Sequence, residues 1–219
     1  MTKAKTKAAK KPKKKAPPAR APAAVRAPAP APAAAAPAPV VVGAGRILVF
    51  DMQHEEQNNW CWAAVAASVG NYYAEEEEWD QCTVANRELR REDCCGDGAA
   101  GPCNVYGYLA SALNRVHCLQ NWAIAHRATF DMVVGEINAG RPVCVRVAWR
   151  GGGAHFVAIT GYSDPDPAIA QVLVQDPFYQ YQDIAWSDFL IVYRPVGAQQ
   201  GDWTDTYTTQ APVAQDGPQ

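Results

Sequence analysis

Every lysine of this 219-residue chain lies within its first fifteen residues, and every one of its 22 acidic residues lies after residue 46. That break decides where a fold can sit. Residues 1–46 hold the eight lysines and Arg20, Arg26 and Arg46, with no acidic and no aromatic residue. Their repeated prolines break helices. Such a segment cannot bury enough apolar surface to offset its ordering entropy, and its Ala-Pro repeats favour extended, polyproline-like spacing. A disordered basic arm is expected over residues 1–46, able to act as a tether for an anionic partner: nucleic acid, an anionic surface or the chain's own acidic remainder. The arm begins like a signal peptide, but no Leu-rich apolar stretch of the usual length follows.

From residue 47 onward the chain has nine arginines and all the carboxylates, which argues against a nucleic-acid cleft there. No run of about 18 apolar residues occurs, so no membrane span is expected. Residues 47–210 suffice for one domain with a real core, followed by a disordered tail over 211–219. RILVFDM (46–52) reads as a strand. Trp60 to Tyr73 is apolar on every side, the mark of a helix buried all round, with Gln57-Asn58-Asn59 suited to capping its start. Cys82 to Cys103 is rich in Gly and Cys and reads as a cross-linked loop. Helices are expected over 105–116 and 130–138. Strands are expected at 143–149, 155–162, 171–177 and 189–195, and TDTYTT (204–209) could close the sheet. Helices first and antiparallel strands later make an α+β domain.

The stretch QNNWCWAA (57–64) puts a thiol between two tryptophans where that buried helix begins. Core packing, a disulfide, metal ligation and nucleophilic catalysis all remain open for Cys61 on this evidence alone. A helix start favours negative charge on a thiol, through its unpaired N–H groups and dipole. A nucleophile also needs an imidazole and a group to orient it. Of the four histidines, His54, His117 and His126 read as structural or surface residues. His155 opens the strand HFVAITGY directly after three glycines, which permit close approach of a substrate. Asp176 ends the next strand, QVLVQDP. In an antiparallel pair the start of one strand lies beside the end of the next, where a carboxylate can hold an imidazole.

Gln-x-x-Trp-Cys-Trp-Ala-Ala, Ala-His-Phe-Val-x-Ile-x-Gly-Tyr and Val-x-x-Asp-Pro together resemble the bacterial papain-like cysteine proteases. The resemblance is greatest to the avirulence-effector type of plant pathogens, and it spans roughly residues 47–210. Gln81-Cys82, Cys94-Cys95 and Cys103-Asn104 are similar to that group's cysteine-rich insert. The resemblance implies a papain-like fold with a helical left lobe, a β-sheet right lobe and a cleft between them. It implies Cys61 as nucleophile, His155 as base and Asp176 as the residue that orients the imidazole. It also implies a glutamine side chain at the oxyanion hole, commonly six residues before the cysteine. Glu55 occupies that spacing here, Gln57 lies four before and Gln53 eight before. Gln57 is favoured, with Gln53 second and the Cys61 backbone N–H as the other donor.

Seven cysteines allow up to three pairs and one free thiol. Cys82, Cys94, Cys95 and Cys103 lack a C-x-x-C pair, and adjacent cysteines rarely ligate one tetrahedral ion. Disulfides are therefore favoured over a zinc site or reduced thiols, and no metal or cofactor is expected. Disulfides in turn favour export over the cytoplasm. The expected function is a monomeric cysteine peptidase acting on a protein or peptide through a thioester. The alternatives are an amidase, deamidase or acyl transferase with the same triad, or a vestigial binding module tethered by the arm.

Overall fold

The computed structural model describes residues 36–74, 79–194 and 199–212, to which all structural statements refer. Most of the arm (1–35) and of the tail (213–219) lies outside the described residues, as does most of the acidic run (75–78). Ordered structure begins earlier than residue 47. Strands β1 (Val40–Val42) and β2 (Gly45–Ile47) form a hairpin that pairs Val40 with Ile47, inside the segment expected to belong to the arm. The reason is compositional: the prolines stop at Pro39, and three consecutive β-branched valines follow.

Helix α1 (Cys61–Tyr73) buries eleven of its thirteen residues. Alanines line much of it, and these small side chains allow neighbouring elements close approach. It packs against α2 (Gln81–Leu89), α3 (Leu109–Arg115) and the later strand β4. Helix α2 corrects the loop expected over 82–103. Asp80 caps it by accepting the Thr83 N–H (2.6 Å), and Arg90 ends it in the left-handed region. Helix α3 is shorter than expected, whereas α4 (Phe130–Asn138) matches and is capped by Thr129.

The strands β3 (Val143–Trp149), β4 (Ala154–Tyr162), β5 (Gln171–Asp176), β6 (Gln180–Ala185) and β7 (Gly201–Thr208) complete a seven-stranded antiparallel sheet with the hairpin. β4 is its hub. It pairs with β3 from Ala154 to Ile159, with β2 at Gly161 and Tyr162, and with β5 from Ala158 onward. Eight of its nine residues are buried. The strand expected over 189–195 is instead helix α5 (Trp186–Ile191), and β6 takes the pairing edge of β5. The apolar letters of FLIVYRP carry no visible period, and Ser187-Asp188 favour a helix start.

Two disulfides, Cys82–Cys95 and Cys94–Cys103, cross-link the segment after α1, while Cys61, Cys118 and Cys144 are free and buried. No described helix is long and apolar enough to cross a membrane.

Candidate active site

Cys61 is the first residue of α1, and nothing caps that helix with a side chain. Of the expected caps, Asn59 is engaged elsewhere: its N–H donates to Asn104 Oδ1 (3.2 Å) and its Nδ2 to the Asn104 carbonyl (3.0 Å). The neighbouring tryptophans are held by the cross-linked segment. Trp60 Nε1 donates to the Cys103 carbonyl (2.7 Å) and Trp62 Nε1 to the Val105 carbonyl (3.0 Å). Gly107 lies so close over the Trp62 ring that a Cβ there would sit 2.4 Å from it. The helix start is thus fixed through its flanks, and its N–H groups are left unclaimed by side chains.

Opposite it, His155 on β4 is buried, and its Nε2 lies 2.9 Å from Asp176 Oδ1 at the end of β5. Strand reversal brings the two together, as the spacing of the strands suggests. Asp176 Oδ1 also accepts the N–H groups of Phe178 (2.7 Å) and Tyr179 (2.8 Å), and Oδ2 accepts the Tyr193 hydroxyl (2.6 Å). Tyr193 in turn accepts from Gln182 Nε2. Burial of an unpartnered carboxylate is costly, and here four donors offset it. Burial alone would raise the Asp176 carboxyl, but His155, Tyr193 and the Tyr179 N–H hold it below the usual range.

With Nε2 committed to Asp176, Nδ1 is the nitrogen left for Cys61. The ligating atoms of Cys61, His155 and Glu55 all lie within 4.8 Å of one another. Burial disfavours a charged His155, yet its hydrogen bonds to Asp176 and Cys61 outweigh that and push it up to about 10. The arrangement therefore sets a protonated imidazole beside the Cys61 thiol. Trp149 stacks on the His155 ring (centroids 5.6 Å apart, 22° between planes), and Tyr179 meets it edge-on.

Cys61 and His155 open into a cavity of about 380 Å³, lined also by Glu55, Tyr106, Trp149, Gly153 and Tyr179. Gly152 and Gly153, at φ +99° and +85°, turn the chain there without side-chain bulk. A second cavity of about 730 Å³ continues from Cys61 past Trp62, Tyr108, Phe156 and Tyr207, with Arg146 and Asp205 at its polar part. Together they form a groove with the thiol at its middle.

Neither expected oxyanion glutamine lines these cavities. Gln53 is committed elsewhere: its Nε2 donates to the Trp79 carbonyl (2.7 Å) and its backbone N–H to Ser68 Oγ. Gln57 contributes its carbonyl to the Trp60 N–H. Glu55 stands in the cleft in their place. The sequence reading also missed Trp149, Tyr179 and Tyr193; Trp149 was detectable only as the residue closing β3 before the glycines.

Three groups of described residues bring metal-capable atoms together. Asp80–Cys82–Cys95 and Asp93–Cys94–Cys103 draw on disulfide sulfurs, which offer no thiolate. The third is Glu55–Cys61–His155 itself.

No curated protein matches the chain. Residues 48–201, the span that contains α1 and all of β3 to β6, match the model of the Peptidase_C39 like family. The chain belongs to that family of cysteine peptidases.

Proposed function

We propose that the chain is a papain-like cysteine peptidase of the avirulence-effector type that hydrolyses peptide bonds with Cys61, His155 and Asp176. The observation that carries this is the unbroken run of contacts from thiol to imidazole to buried carboxylate, at the middle of an open groove. Cys61 Sγ attacks the peptide carbonyl carbon, and the carbonyl π pair moves to oxygen. As the tetrahedral species collapses, the C–N bond breaks and His155 Nδ1–H gives its proton to the leaving amine. Water, deprotonated by His155, then hydrolyses the thioester and returns the thiol. The Cys61 N–H, at an uncapped helix start, is one donor to the oxyanion. The helices and the sheet make the two lobes, and the groove between them takes an extended peptide.

The two cystines fit an oxidising compartment. The basic arm serves as an electrostatic tether, which a salt-dependent pull-down by residues 1–46 would reveal. The chain acts as a monomer.

The test is Cys61→Ala on a peptide library read by mass spectrometry. Cleavage should vanish while the melting profile is kept; cleavage that persists in the variant overturns the reading. Adding an amine acceptor in the same assay separates hydrolysis from transfer, because only the second nucleophile differs.

A further inference from the structure

We propose that Glu55 is a catalytic residue of the thiol reaction, donating a hydrogen bond to the oxyanion as a neutral carboxylic acid, so that turnover requires its protonated form. This deepens the cysteine-peptidase reading and rests on it.

The position of Glu55 is built rather than incidental. Its own N–H donates to the Pro177 carbonyl (2.8 Å), next to Asp176. The buried Gln81 amide clamps both its neighbours, donating to the His54 carbonyl (2.7 Å) and accepting the Glu56 N–H (2.9 Å). Gln53 is pinned two residues earlier through Trp79 and Ser68. These anchors fix the backbone around Glu55 at the cleft, where the residue lines the cavity with Cys61 and His155. Its side chain has no hydrogen bond or ion pair among the described residues. The adjacent His155 is already shared between Asp176 and Cys61.

A carboxyl oxygen lies within 4.8 Å of Cys61 Sγ. The oxyanion forms on the atom bonded to the carbon that Sγ attacks, and a substrate carbonyl turned toward Glu55 brings that oxygen within reach of the carboxyl. The charge logic then leaves one competent state. An ionised Glu55 would oppose the negative charge developing on the oxygen, whereas a carboxylic acid donates to it and keeps its proton throughout. The groups that face Glu55 are His155 on β4, Asp176 on β5, Cys61 on α1 and His54 on its own loop, with the Tyr106 and Tyr179 phenols lining the same cavity. Burial raises Glu55 above the usual carboxylate range and Asp176 adds to this, while His155 and His54 pull the other way; the net is upward.

The test compares wild type with Glu55→Gln and Glu55→Ala across pH, using a peptide substrate for kcat/KM and a peptide aldehyde for affinity. The aldehyde forms a tetrahedral hemithioacetal with the thiol and needs no turnover. Wild-type kcat/KM and aldehyde affinity should fall as pH rises above the ordinary carboxylate range and Glu55 ionises. Glu55→Gln, which donates at every pH, should keep both up to the alkaline limit set by His155. It should gain about tenfold or more at neutral pH, bounded by the ~10²–10³ attributed to one oxyanion donor. Glu55→Ala should be low at every pH. If Glu55→Gln superimposes on wild type, or loses activity with an unchanged profile, the Glu55 assignment falls and the peptidase reading stands. If the aldehyde forms no Cys61 adduct in any variant, the cysteine-peptidase reading fails and takes this inference with it.

Discussion

The two walls of the groove are built on opposite plans. On the sheet wall, polar capacity is used up: Asp176 accepts four hydrogen bonds, and His155 is fixed between Asp176 and Cys61 with Trp149 against its face. On the helix wall, the anchoring sits at the flanks, in Trp60, Trp62, Asn59 and Gln81, while among the described residues the Cys61 end of α1 has no side-chain cap and the Glu55 side chain no hydrogen-bond partner. A saturated wall holds a proton-transfer group in one orientation. A wall with unclaimed donors can receive charge that exists only during reaction.

The largest effect should come from cutting the saturated wall at its centre. His155→Ala should lower kcat/KM by about 10⁴ or more, the scale seen when a nucleophile loses its base, and should also lower the melting temperature, because buried Asp176 loses its ion partner. Asp176→Ala should harm both properties. It orphans the Tyr193 hydroxyl and two backbone N–H groups, each costing roughly 1–3 kcal/mol when buried, so calorimetry should show a clear drop in stability alongside lost activity.

The helix wall should respond differently. Replacing Cys94 and Cys103 together by alanine removes one loop closure, worth about 2–4 kcal/mol. Because Cys103 and its neighbours Asn104 and Val105 hold Asn59, Trp60 and Trp62, activity should fall with the melting temperature. Should activity survive intact at a temperature where the variant is folded, the flanks do not position Cys61.

The smallest predicted effect is electrostatic. His155 is raised in the fold from 6.5 to about 10, so its contribution to stability is complete below its ordinary value and is lost as pH climbs toward about 10. Asp176 is held down, so its contribution is present above the ordinary carboxylate range and lost as pH falls through its depressed value. Stability measured against pH should therefore be bounded on both sides in wild type, and Asp176→Asn should weaken both limits.

The sequence makes the sheet wall legible because its chemistry lies in two neighbouring strands whose reversal places His155 beside Asp176 by geometry alone. The buried helix is equally plain, since no face of Trp60–Val69 is polar. Helix α2 is hidden among cysteines and is revealed only by Asp80 as its cap. Helix α5 resembles a strand because Phe189, Leu190 and Ile191 carry no period. The proposed oxyanion partner, Glu55, is the residue the sequence hides best. The resemblance asks for a glutamine, and Gln57 sits in the loop abutting the helix, so it is the residue favoured; a carboxyl donates only when its surroundings keep the proton. What favours the proton on Glu55 is burial and the charge of Asp176 on β5, far from Glu55 along the chain.

The central claim is that Cys61 is activated and the other free thiols are not. Cys118 is pushed up to about 12 by burial, and burial drives Cys144 higher still, with the Cys118 thiol adding to it. Labelling the native protein with an epoxysuccinyl probe, followed by peptide mapping, tests this directly. Modification should be confined to Cys61 and lost in His155→Ala. Labelling that spreads to Cys118 and Cys144, or that persists at Cys61 without His155, would contradict it.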